Sequence, residues 1–208
     1  MNWKTANKEA YNKKGKKYDF IRPKLIYVRL AKHFKKMLLN YIPQKANVLD
    51  MCCGTGNSTA FMDYLLTNSK ITCVDQAKNM LDVAKTKKYR NKTSFTLSDL
   101  ESYNSKKKFD IIQIFQATHH FSSMKPITKM LKRNLSKNGY VFLIDFFTLN
   151  KFILFSNKIY IKYFGQGKYY TRNYQESIKE LEKEGLKTIK YVEHPVLKNY
   201  GIIIAKMA

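Results

Sequence analysis

Between Arg22 and Tyr41 the apolar residues Ile26, Leu30, Phe34, Met37, Leu38 and Tyr41 recur three or four positions apart, with Lys32, Lys35 and Lys36 between them. That spacing lays one apolar stripe along a cylinder and predicts an amphipathic helix, ended by Pro43. The period then changes. Asn47-Val48-Leu49-Asp50 predicts a short strand feeding the turn Cys53-Gly54-Thr55-Gly56, after which Asn57 or Ser58 can cap a helix from Thr59 to Leu66. The alternation continues through strand Ile71–Val74, helix Lys78–Thr86, strands Ser94–Leu97 and Phe109–Phe115, helix Ile127–Leu135 and strand Tyr140–Ile144. Strands separated by helical segments predict a parallel sheet with helices on both faces. Near the end, helix Tyr174–Glu184 is stopped by Gly185 and followed by strands Lys187–Val192 and Gly201–Lys206. Those two are too close in the chain for a helical crossover, so they should pair antiparallel.

The predicted fold is α/β: a Rossmann-like, seven-stranded sheet, mostly parallel with an antiparallel C-terminal strand. A chain of 208 residues suits one such domain. Within it, residues 1–43 read as an N-terminal helical cap segment, 44–150 as the core, and 173–208 as the C-terminal helix and antiparallel strand pair. Residues 151–172 break the rhythm. The stretch KFILFSNKIYIKYFGQGKYY, Lys151 to Tyr170, is aromatic and laced with lysine. It reads either as a helix packed on the sheet edge or as an aromatic lid insertion that can rest on a membrane surface.

Composition narrows the classes. Hydrophobic residues make up 44% and aromatic residues 14%, which excludes wholesale disorder. The amino terminus is basic but has no apolar stretch of signal-peptide length, and nothing downstream approaches a transmembrane run, so a cytoplasmic location is expected. Cys52, Cys53 and Cys73 sit in or beside predicted strands rather than in spaced pairs, which points to reduced, buried thiols with no disulfide partner and no metal site. The formal charge of +24 is the footprint expected of a nucleic-acid binder. Its make-up argues otherwise. Arginine occurs only at positions 22, 29, 90, 133 and 172; the rest is lysine, accompanied by abundant Asn, Ile, Tyr and Phe. That mixture is what AT-rich codon bias writes, whereas phosphate recognition enriches the planar fork of arginine. Nucleic acid is therefore the less favoured partner.

The chemistry concentrates at the predicted strand ends. A strand ending in Asp50 and followed by Gly54 and Gly56 lets backbone amides approach a ligand, because glycine has no side chain to block them. Asp75 ends the second strand, where a carboxylate can accept both hydroxyls of a ribose. Asp99 follows the third strand and can accept from an adenine amino group while Leu100 donates its backbone amide. Gln116-Ala117-Thr118-His119-His120 follows the fourth. These loops meet at the switch point of a doubly wound sheet, where ligands bind.

With these residues in place the sequence resembles the class I S-adenosylmethionine-dependent methyltransferases over nearly its whole length, in particular the small kind similar to the ubiquinone- and menaquinone-biosynthesis methyltransferases. Val48 to Gly56 matches the family's first motif, Asp75 its acid after the second strand, Asp99 its adenine-contacting acid, and Leu135-Ser136-Lys137-Asn138-Gly139-Tyr140 its fifth-strand motif. Two positions depart: Cys52 stands where the family often has its first glycine, and Lys137-Asn138-Gly139 replaces Pro-Gly-Gly. The resemblance implies S-adenosylmethionine as cofactor, held by Asp50, Cys53, Gly54, Thr55, Gly56, Asp75, Gln76, Met80, Asp99, Leu100 and Gln116. It implies a small-molecule or lipid-like acceptor, methylated by in-line displacement and contacted by Tyr11, Tyr18 and Asp145. His119 and His120 are the candidate bases, a role worth roughly 10²–10⁴-fold where the acceptor must lose a proton. Their other reading is a loop feature that shapes the pocket.

Three alternatives stand beside this one. A dinucleotide-dependent dehydrogenase would want a third glycine where the chain has Thr59. A methyltransferase acting on RNA or protein would show an Asn/Asp-Pro-Pro-Tyr type motif where the chain has Gln116-Ala117-Thr118-His119. The third is a cofactor-binding protein that has lost transfer activity and acts by binding a partner; the intact acidic positions argue against such decay.

Overall fold

A computed structural model describes residues 3–15, 17–21, 23–43, 45–147, 170, 172–195 and 200–208. Three N-terminal helices, α1 (Trp3–Lys14), α2 (Lys17–Ile21) and α3 (Lys24–Leu38), precede β1 (Asn47–Met51), α4 (Asn57–Leu65), β2 (Lys70–Asp75), α5 (Lys78–Lys85), β3 (Lys92–Leu97), β4 (Phe109–Phe115), α6 (Lys125–Asn134) and β5 (Leu135–Phe146). After Arg172 come α7 (Tyr174–Lys183), β6 (Leu186–Glu193) and β7 (Tyr200–Met207). Of the predicted lid, residues 151–169 and 171 lie outside the described residues.

The seven strands form one sheet in the order β3-β2-β1-β4-β5-β7-β6. β1 pairs in parallel with both β2 and β4, β4 with β5, and β7 runs antiparallel between β5 and β6. This is the mostly parallel, doubly wound sheet that the alternation predicted. The chain winds outward from β1 through β2 to β3, then returns to lay β4 on the other side of β1. The crevice between the carboxyl ends of β1 and β4 is therefore the switch point.

Both faces of the sheet are covered, and the central strands show it residue by residue. Val48, Ile111, Phe142, Ile144, Ile202 and Ile204 join one core with Leu30, Phe34 and Leu38 of α3 and Phe61 of α4. Leu49, Ile112, Ile114, Leu143 and Ile203 join the other with Ile127, Met130 and Leu131 of α6 and Leu181 of α7. Successive strand residues point to opposite faces, so a strand buried on both sides must be apolar at every position. That is why the middles of these strands are apolar on both faces, as in Val141–Ile144 of β5 and Ile202–Ala205 of β7.

Several boundaries differ from the pattern. α3 starts at Lys24 because Pro23 holds an extended conformation as its N-cap, and it tightens into a 3₁₀ turn at Leu39–Tyr41. Its inward stripe uses Tyr27 where the periodicity pointed to Ile26, which is 46% exposed. Tyr27 is drawn in by Phe115 of β4, its ring 5.0 Å away. β5 begins at Leu135, five residues before the predicted start, because Leu135 pairs with Phe109 across an irregular stretch before regular pairing resumes at Tyr140. Gly139 lies in that stretch, where a Cβ would sit 2.9 Å from the Phe109 carbonyl oxygen. Ahead of α3 lie α1 and the short α2; α1 is polar in sequence and carries no strong apolar period.

Candidate active site

The loops after β1, β2, β3 and β4 open into one cavity of about 900 Å³, part of it open to solvent, with α1 and α2 across its mouth. Cys53, Gly54 and Thr55 line it from the glycine turn, Asp75, Gln76 and Met80 from the end of β2 and the start of α5, and Asp99 and Leu100 from the turn after β3. Gln116 and His120 enter from the loop after β4, and Tyr11 and Tyr18 from above. Four residues singled out in the sequence do not line it: Asp50, Gly56, His119 and Asp145.

Asp50 lies behind the glycine turn. It is fully buried and accepts hydrogen bonds from Thr59 Oγ1 (2.6 Å), Ser58 Oγ (3.0 Å) and Gln113 Nε2 (2.9 Å). Burial pushes its carboxyl up to about 6 even though those three donors favour the charged form. Asp50 thus ties β1 to the first turn of α4 and to β4. The turn itself needs left-handed backbone at three positions, Cys52 (φ 64°), Gly54 (φ 56°) and Gly56 (φ 79°). A Cβ at Gly56 would fall 2.1 Å from Tyr89 Oη, so that glycine is demanded by packing as well as by conformation.

Asp75 faces the cavity with its carboxylate already organised: Gly54 N donates to Oδ2 (2.7 Å) and Ala77 N to Oδ1 (2.8 Å). Burial raises its pKa, opposed by those amides. Each oxygen can accept a further hydrogen bond. Asp99 holds its own turn, accepting from the backbone amides of Glu101 (2.9 Å) and Ser102 (3.1 Å) and from the Ser102 hydroxyl. That locks the backbone that carries Leu100 to the rim.

The histidines separate. His120, 8% exposed, faces the cavity with Nε2 2.8 Å from Tyr11 Oη, and the Tyr11 ring stands edge-on to it at 5.4 Å. His119 turns away and meets Asp145, with Nδ1 2.9 Å from Oδ1. Asp145 is 1% exposed and also accepts from the Thr118 hydroxyl. Burial pushes this carboxyl up, but the His119 imidazole and the bonds from Thr118 and the Phe146 amide outweigh it and hold it below the usual range. The pair braces the loop under the pocket floor. Arg172 adds to the brace, donating to the carbonyls of Thr118 (3.3 Å) and Phe121 (2.8 Å), and the Tyr170 amide donates to His119 O (2.7 Å).

Sequence reading missed the parts that close the mouth. Asp19 accepts from the Thr55 hydroxyl and from Asn57 Nδ2 (2.9 Å) and pairs with Lys87 Nζ (2.6 Å). Burial lowers the Lys87 pKa, opposed by Asp19. Asn12 ties α1 to α5, its Oδ1 accepting from Asn79 N (3.0 Å) and its carbonyl from Asn79 Nδ2 (3.0 Å). Tyr27, Phe115 and Phe121 give the pocket an aromatic wall beside His120. Nothing local marks these residues; each acts across a long sequence separation. Among the described residues no group of three His, Cys, Asp or Glu could hold a metal ion, and no helix is long and apolar enough to cross a membrane.

Residues 48–139, which carry the turn, the acids and the histidine loop, match the family described as methyltransferase domain. A demethylmenaquinone methyltransferase of Leptospira interrogans is 27% identical over 149 residues, covering 66% of this chain and 59% of that protein. A malonyl-[acyl-carrier protein] O-methyltransferase of Priestia megaterium is 25% identical over 144 residues, covering 67% and 50%. The chain thus spans about half to three fifths of the length of these relatives. Among solved structures, the DhpI-SAM-HEP complex superposes with a TM-score of 0.70 at 15% identity, over 99% of this chain and 97% of that one. Sheet order, turn and the match over residues 48–139 agree: the chain resembles a methyltransferase domain in sequence over that stretch and shares the fold of the DhpI structure over its length.

Proposed function

We propose that the protein transfers a methyl group from S-adenosylmethionine to a small-molecule acceptor. The observation that carries this reading is the division of one cavity into two chemically different halves: acids and the glycine turn on the β1–β3 side, and aromatic rings with His120 on the β4 side. Bound S-adenosylmethionine supplies an electrophilic methyl on a sulfonium; the chain's own residues bind, orient and exclude water.

On the first side Asp75 suits a ribose, because its two oxygens are fixed by Gly54 and Ala77 and each keeps a lone pair. Gly54, Thr55 and Gln116 line the part nearest the turn, and Leu100 with Met80 would flank the base; Asp50 and Gly56 serve by holding the turn from behind. On the second side Tyr11, Tyr18 and Tyr27 with Phe115 and Phe121 offer flat apolar surface for an acceptor, and His120 with Tyr11 is placed to take its proton. His119 and Asp145 act through position: they hold the loop from which His120 projects. The relatives named demethylmenaquinone methyltransferase and malonyl-[acyl-carrier protein] O-methyltransferase support a small group as acceptor, free in the first name and carried by a protein in the second.

Calorimetric titration with S-adenosylmethionine, S-adenosylhomocysteine and NADH tests this. Binding of the first two alone is expected. Binding of NADH alone would make the turn a dehydrogenase's. Asp75→Ala should weaken S-adenosylmethionine affinity by about 1.5–3 kcal/mol, the worth of a hydrogen bond to a charged group, and unchanged affinity would sink the placement of the cofactor.

A further inference from the structure

Asn7 is a buried polar side chain that the closed fold leaves unsatisfied at the cavity. It lies on α1 one helical turn before Tyr11, is 2% exposed and lines the pocket, and both atoms of its side-chain amide lack a hydrogen-bond partner. A buried amide with donor and acceptor both unmet is a standing cost to the fold. Such a group is retained when something absent from the resting protein satisfies it.

The helix does not need Asn7 to stay in place. α1 is tied by Asn12 to Asn79 and by Tyr11 to His120, and α2 by Asp19 to Thr55, Asn57 and Lys87. These ties leave Asn7 over. Its neighbours on the helix show which half of the cavity it serves. Thr5 and Lys8 border a depression shared with Gln76, Ser98 and Asp99, on the side of the acids. Tyr11, four residues on, meets His120. Asn7 therefore stands over the acidic half, at its boundary with the aromatic half.

We propose that Asn7 is a binding residue for the S-adenosyl ligand, its amide both donating to and accepting from the ligand, so that α1 gains its last hydrogen bonds only when the pocket is filled. This rests on the reading of the cavity as an S-adenosylmethionine site. It makes α1 a cap whose closure is completed by the cofactor, which would order cofactor before acceptor.

The proposal predicts opposite signs for the empty and the filled protein. Asn7→Leu removes an unsatisfied amide, so the ligand-free variant should melt at the same temperature as the wild type or higher. Its affinity for S-adenosylhomocysteine should fall about tenfold or more. Asn7→Ala, which cannot overpack, should show the same loss of affinity. Thermal melts without ligand and calorimetry with S-adenosylhomocysteine read both. A variant pair that binds as tightly as the wild type overturns the inference, as does loss of stability and affinity together, which would make Asn7 a strut. Failure of the wild-type protein itself to bind would instead overturn the reading of the cavity, and this inference with it.

Discussion

The glycine turn after β1 and the histidine loop after β4 occupy equivalent places on neighbouring strands, and each bends the chain through a left-handed non-glycine residue, Cys52 at φ 64° and Gln116 at φ 50°. They are built in different ways. The glycine turn takes its shape from residues close in sequence, Asp50 bonding Ser58 and Thr59 and Gly54 and Gly56 supplying the backbone freedom, and Gln113, Asp75 and Asp19 then tie it to the rest of the fold. The histidine loop is held by distant ones: Asp145 at the end of β5, Arg172 before α7 and Tyr11 on α1. A locally built turn announces itself as a motif. A loop built from three remote segments does not, and only its assembly tells which histidine faces the cavity.

The first test breaks the histidine loop. His119→Ala takes the imidazole from the buried Asp145 carboxylate and leaves it the Thr118 hydroxyl and the Phe146 amide, a loss of about 1.5–3 kcal/mol that should lower the melting temperature by roughly 5–10 °C. Asp145 has a lowered pKa, so the stability it contributes is present above the ordinary carboxylate range and is lost as pH falls through its own value. The gap between variant and wild type should therefore narrow in acid. His120→Ala should leave the melt nearly unchanged and lower turnover by about 10²-fold or more. Equal destabilisation by both would erase the distinction between brace and base.

Next is the glycine turn. Gly56→Ala forces a left-handed conformation worth about 1–2 kcal/mol and an overlap with Tyr89 Oη worth about 1–3 kcal/mol. A drop in melting temperature near 10 °C is expected, with partial recovery when Tyr89→Phe is added. No recovery would mean that backbone conformation alone demands the glycine.

Asp50 should titrate in the sense opposite to Asp145. Its pKa is raised from 3.8 to about 6, so the stability of its protonated form is present below pH 4 and lost as pH rises through 6. At about 1.4 kcal/mol per unit, that is roughly 3 kcal/mol. Denaturant melts from pH 4 to 7 should show this decline in the wild type and a flatter profile in Asp50→Asn. Parallel profiles would show that the buried carboxyl stays ionised throughout.

The smallest effect is at Cys52. Glycine there relieves about 1–2 kcal/mol of left-handed strain and costs about 0.5–1 kcal/mol in chain entropy. Cys52→Gly should raise the melting temperature by a few degrees at most. A fall would mean that the thiol packing against the second core outweighs the strain.

Much of the architecture was legible in the chain. Strand and helix periods predicted the seven strands and the antiparallel ending, because a sheet buried on both faces demands apolar runs and the crossovers demand amphipathic helices. Asp75, Asp99 and the glycine turn were legible because strand-end position and glycine content are local properties. Ile26 and Tyr27 mark the limit of that reading. Either residue satisfies the helical stripe, and the ring of Phe115 decided which one turned inward.

What the sequence determined by itself, then, is whatever depends on neighbours along the chain: the period of each element, the turn that lets backbone reach a ligand, the acids at strand ends. The tertiary structure alone decided the rest. It sent Asp145 to His119 and away from the pocket, laid Tyr11 on His120, latched Asp19 to Lys87 and left Asn7 unsatisfied over the cavity. Those outcomes depend on which buried polar groups find partners once the helices close, and pairing between segments that are not neighbours along the chain leaves no periodic trace in the sequence.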